Sequence, residues 1–227
     1  MNRIDALLAR MRYIPSKQQR ATQLQDMRVI RDKLQEAAHR GEVLCEQSNA
    51  LAAIGDLGFV GVSRQGLTKI AERAGALKKR HDDGHGFDRK RADQTLTLIN
   101  EGLDGVSSAI SKGWRSLVDE QTRRYRPLAA AAERASLPGA KGLNDAIALL
   151  DGWRDAPPDS RQAADTYIAN ASSLPTAIAS LGLEGRAGKF MVDASNGRAK
   201  ANDLQDPEVL AFLEAHPAVW SMLKVGF

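Results

Sequence analysis

The sequence predicts an all-α protein: a long antiparallel helical hairpin, coiled-coil-like, with a small helical C-terminal domain. Three observations lead there. Between Asp88 and Arg134 the apolar residues Ala92, Leu96, Ile99, Leu103, Val106, Ile110 and Leu117, with Gly113 in one slot, alternate steps of four and three as a helical seam requires. No proline interrupts this stretch before Pro127, and a helix of its full length would run roughly 70 Å, which calls for a partner helix alongside. Aromatic residues make up only 5% of the 227, while Ala, Leu, Arg, Gln and Glu abound, a mixture that suits helices and supplies sheets poorly.

The first element is a short amphipathic docking helix within residues 1–16, with Ile4, Leu7, Leu8 and Met11 on one face and Pro15 to end it. A second helix starts near Ser16 and keeps a seam through Met27, Ile30, Leu34, Ala37, Gly41, Leu44, Ser48 and Leu51. Small residues at Ala37, Gly41 and Ser48 admit a close neighbour, and Cys45 lies on the flank of the seam, where packing is expected. Gly55, Gly58 and Gly61 break the helix. Ser63 is then placed to cap the next one, whose face carries Leu67, Ile70, Ala71, Ala74 and Leu77, with Gly75 as a close-packing point. A tip near 82–87, in DDGHGF, reverses the chain. The expected hairpin therefore fills residues 17–135. One arm is the two helices laid end to end, and the other is the Asp88 stretch.

Residues 136–227 read as a compact helical domain. Leu143, Ile147, Leu150 and Trp153 mark one helix, DAPPDS a turn, Tyr167 and Ile168 a second helix, and Pro175 the start of a third that stops near Gly182. The stretch around Phe190, Met191 and Val192 is ambiguous. Asp206 and Pro207 fit the N-cap and first turn of a helix, and Pro217 opens a last short one with Val219, Trp220 and Leu223.

Composition narrows function. With 43% apolar and 26% charged residues the chain is a folding one, and no apolar run nears the roughly 20 residues that span a bilayer. The N-terminus MNRIDALLARMRY carries charges through its apolar positions, unlike a secretory signal, and a lone cysteine fits a reducing cytoplasm. Of the net charge of +4, Lys78, Lys79, Arg80, Arg89, Lys90 and Arg91 against Asp82, Asp83 and Asp88 place +3 in one segment. Those six cations, approaching from both sides of a turn with Phe87 between them, are the candidate contacts for DNA or RNA phosphates. A second basic set, Arg115, Arg123, Arg124 and Arg126, is weaker, and Trp114 and Tyr125 are available either to stack on bases or to fill a helix interface.

Two local patterns resemble known families. GLTKIAERAGALKKR is similar to the first half of a helix-turn-helix, with Ile70, Ala71, Ala74 and Gly75 at the positioning helix and turn. All-helical regulators of the TetR type share that motif, so the resemblance implies DNA binding. It covers fifteen residues and stops at His81 and Gly84, where apolar core positions are due. The His81–Asp82 pair within HDDGH resembles metal-dependent phosphohydrolases of the HD type, implying hydrolysis with a divalent ion held by His81, Asp82 and His85. No upstream histidine or downstream aspartate is assignable to complete that set.

The residues thus favour a non-enzymatic scaffold or adaptor subunit, with no catalytic set and no cofactor. It would pair with a protein partner or with itself through helical faces, and touch DNA or RNA at the basic tip. A DNA-binding protein and a metal-dependent hydrolase are the alternatives.

Overall fold

The computed structural model describes residues 17–82 and 87–223, and every described element is helical. In chain order these are α1 (Lys17–Ala52), α2 (Gly58–Asp82), α3 (Arg89–Arg123), α4 (Arg126–Arg134), α5 (Ala140–Asp151), α6 (Arg161–Ser180), α7 (Gly185–Ser195), a 3-10 turn (Ala201–Gln205), α8 (Pro207–Ala215) and a second 3-10 turn (Pro217–Met222). Among the described residues no helix is long and apolar enough to cross a membrane. The all-α class read from the sequence is the observed one. The expected docking helix of residues 1–16 lies outside the described residues, as do residues 83–86 of the expected tip.

The chain forms two compact units, and both are discontinuous: Met1–Cys45 with Gly61–Ser108, and Glu46–Val60 with Ala109–Phe227. These compositions differ from the sequence-derived segments 17–135 and 136–227.

In the first unit three helical segments lie side by side. Arg89 pairs with Asp26 at 2.6 Å, and Arg40 reaches Asn100 at 3.3 Å and Asp104 at 2.5 Å, so residue numbers rise together and α1 runs parallel to α3. Between α2 and α3 they run opposite: Arg73 donates to the Leu98 carbonyl, Gly66 lies under Val106, and Gly102 lies under Ile70. The two-armed hairpin is thereby replaced by a three-helix arrangement. Its physical cause is the connection at 53–57, where Ala53 and Ile54 donate to the carbonyls of Ala50 and Leu51 in tight turns. That geometry reverses the chain instead of extending one arm. Helix α2 resumes at Gly58, so Ser63 is a buried position inside it and not its cap. The seam itself is as expected, with Ile30, Ala37 and Leu44 of α1 and Ala92, Leu96, Ile99, Leu103 and Val106 of α3 all buried. Cys45, expected to be packed, is exposed.

The second unit is built around Trp114 of α3, which is 0% exposed. Its indole N–H donates to the Trp153 carbonyl at 2.6 Å, and its ring lies 4.5 Å from that of Tyr167. Tyr167 in turn donates to Gln121 Oε1 at 2.5 Å and meets the edge of Trp153. Past Ile110 the buried positions of α3 are Trp114, Val118 and Thr122, not Gly113 and Leu117. Gly113 instead gives way to the Phe59 ring. The Asp88 to Arg134 helix is also interrupted: α3 ends at Arg123, and α4 begins with Pro127 in its first turn, where a missing N–H costs nothing.

Further along, Pro175 lies inside α6 rather than starting a new helix. Pro175 offers no N–H to the Ala171 carbonyl, and around it the hydroxyls of Ser172, Ser173 and Thr176 donate to the carbonyls of Ile168, Asn170 and Ser172. Gly182, at φ +62, lets Leu183 turn back onto the Ile178 carbonyl and stop α6. The ambiguous stretch is α7, held by buried Phe190 and Met191. Asp206 caps α8 through Glu208 N–H, and Val219 is buried in the last turn, both as expected.

Candidate interaction groove and its basic rim

The first unit leaves an open apolar groove of about 510 Å³ between its three helices. Its floor is Ile30 and Ala92, both buried; Met27, Leu34, Ala74, Leu77 and Phe87 form half-buried walls, with Ala38 beside them. The groove exists because the facing positions on three helices are small. Ala38, Ala74 and Ala92 contribute small side chains to its lining, one from each helix. Asp88 fixes the start of α3 by accepting from Arg91 N–H at 3.2 Å, and the Arg89–Asp26 pair holds α3 to α1 at this end.

Charge surrounds the apolar lining. Arg31, Lys78, Arg80 and Arg91 stand at the rim against Asp88, a net of +3 from four cations and one anion. Arg31 is engaged by its neighbour Asp32 at 2.8 Å. No ion pair between described residues engages Lys78, Arg80 or Arg91.

The six cations singled out in the sequence separate into three groups. Lys78, Arg80 and Arg91 line the groove; Lys79 and Lys90 are exposed and do not line it; Arg89 is taken up by Asp26 and, at 3.6 Å, by Asp93. In the other unit Arg115 pairs with Asp155 and Arg126 with Asp151, while Arg124 lies over the Tyr125 ring. Trp114 is interior, so it fills a helix interface and has no face for a base. Residues Gly66 to Arg80 belong to one unbroken helix, so the turn that the helix-turn-helix resemblance requires at Gly75 does not form. A methyl at Gly75 would meet nothing within 4 Å, so it is not a close-packing point either. The HDDGH set lies outside what is described: the side chains of His81 and Asp82, and all of Asp83 and His85.

The second unit carries a cleft of about 580 Å³ beside α4, α6 and α7, with Arg124 and Lys189 opposed by Glu184 and Asp193. Its charges cancel. Sequence reading missed the groove because Met27, Ile30 and Leu34 look like ordinary seam residues. The usable signal was an alanine on the apolar face of each of three successive helices, beside a cluster of cations.

No protein-family model matches the chain, and neither a curated protein nor a solved structure matches it.

Proposed function

We propose that this chain is a non-enzymatic helical adaptor that recruits a partner protein through the groove of its first unit. The observation that carries the reading is an apolar depression opening to solvent in a unit whose core is otherwise closed by α1 and α3. Open apolar surface ringed by charge is the usual composition of a protein-docking site, and a helical groove suits a helical ligand. The test is capture of partners from native lysate by the full chain, with and without nuclease. A stoichiometric protein retained after nuclease supports the adaptor; its absence counts against it.

A second reading, phosphate contact by nucleic acid, draws on Lys79 and Lys90, which are exposed and free of ion pairs among the described residues. The double variant Lys79→Glu/Lys90→Glu leaves the groove lining intact. Under this reading it loses retention on nucleic acid and flattens the salt dependence. Under the adaptor reading, protein capture is unchanged.

A further inference from the structure

We infer that the groove's occupant is an acidic amphipathic helix: a partner segment with apolar residues at i, i+3, i+4 and i+7 and several carboxylates beside them. The inference rests on the adaptor reading and specifies its ligand. Along α1 the lining steps through Met27, Ile30, Leu34 and Ala38 at intervals of three and four, a straight apolar track of about 17 Å at 1.5 Å per residue. That length takes about three turns of a docked helix, and the interval lets its ridges seat between those of α1.

The rim determines what kind of helix fits. Its cations come from all three helices, Arg31 from α1, Lys78 and Arg80 from α2, and Arg91 from α3. Arg31 is already answered by Asp32, but Lys78, Arg80 and Arg91 bring three charges that no ion pair between described residues meets. A ligand with one anionic head, such as a fatty acid, would neutralise only one of them. A helix carrying several Glu or Asp residues beside its apolar stripe, at the end that meets these cations, answers all three. The same complementarity argues against the chain's own N-terminal segment. Its residues Arg3, Arg10 and Arg12 against Asp5 would bring more positive charge to a positive rim.

The experiment uses the full chain and two labelled peptides of about 14 residues, identical in apolar residues, one flanked by Glu and one by Lys. Fluorescence anisotropy is expected to give saturable binding of the Glu peptide, at least about tenfold tighter than the Lys peptide. Lys78→Glu/Arg80→Glu/Arg91→Glu should reverse that preference. Ala74→Leu, which fills the groove without changing charge, should weaken the Glu peptide at least about tenfold while leaving the helical circular dichroism unchanged.

Equal binding of both peptides, or no saturable binding, overturns the inference. So does tighter binding of a peptide copying residues 1–16, displacement of the Glu peptide by oleate at lower concentration than by itself, or a dimer in solution that Ala74→Leu dissociates. If lysate capture is lost in the Ala74→Leu variant while neither peptide binds, the groove still docks a protein and the acidic-helix assignment alone fails; if capture persists in that variant, the groove-based adaptor reading fails with it.

Discussion

Gly113 is where a single atom matters most. A methyl group built there would collide with the half-buried Phe59 ring and lie 2.7 Å from its Cβ, too near the root of the side chain for a rotation of the ring to relieve. Gly113→Ala is expected to cost about 1–3 kcal/mol in chemical denaturation, despite the better helix propensity of alanine. Phe59→Leu introduced with it should recover part of the loss. Tyr167 gives a pH signature. Burial pushes its hydroxyl up to about 12, so the fold holds the neutral phenol while the unfolded chain ionises near its ordinary value of 10.0. The unfolded state sheds its proton first, so stability is intact below pH 10 and falls progressively as pH rises toward about 12. Denaturation midpoints measured from about pH 9 to about pH 11 should slope downward in the native protein and less so in Tyr167→Phe. An unchanged slope would mean that other groups govern alkaline unfolding.

At the level of elements, glycine has opposite roles along the same pair of helices. Gly66 and Gly102 each lie beneath a branched side chain across the α2–α3 contact, whereas Gly75 faces open space within α2. Gly75→Ala should therefore stabilise the protein by about 0.5–1 kcal/mol, read as a higher melting temperature, because only helix propensity changes. A loss would place an unseen neighbour against that face. The sequence made α1 and α3 legible, since Ile30, Ala37 and Leu44 and then Ala92 through Ile110 keep helical spacing over many turns. It located the break at Gly55–Gly61 but not its direction, because glycines signal interruption equally for a kink and for a reversal. The seam was misread past Ile110 because burial there follows Trp114 and its contacts with Trp153 and Tyr167, which lie far along the chain. Pro175 lies within α6, and not at a helix start, because buried Tyr167, Leu174 and Ile178 hold the helix on both sides of it against the loss of one backbone hydrogen bond. For the groove, the cations were legible as a cluster, but the alanine-lined depression depends on how three helices register, which no local pattern encodes.

Across the whole chain, neither unit is a contiguous stretch. Residues 46–60 belong with 109–227, where Leu51 is fully buried, Phe59 packs on Gly113, and Gln47 reaches the Pro157 carbonyl at 3.5 Å. A fragment of residues 109–227 made alone lacks those contacts. It should melt at lower temperature and less cooperatively than the full chain, with a weaker near-ultraviolet signal from Trp114. A melt indistinguishable from that of the full chain would show that 46–60 contributes little. This also explains why a boundary at residue 136 looked natural: composition changes there, but the division of packing follows side chains brought back from upstream. Synthesis from the N-terminus then imposes a delay. After Val60 emerges, about 50 more residues must be translated before Ala109 and its neighbours appear, roughly 2–10 s at ordinary elongation rates. During that interval the greasy surface of Leu51 and Val60 is unsheltered on the nascent polypeptide, a window in which ribosome-bound chaperones would find it.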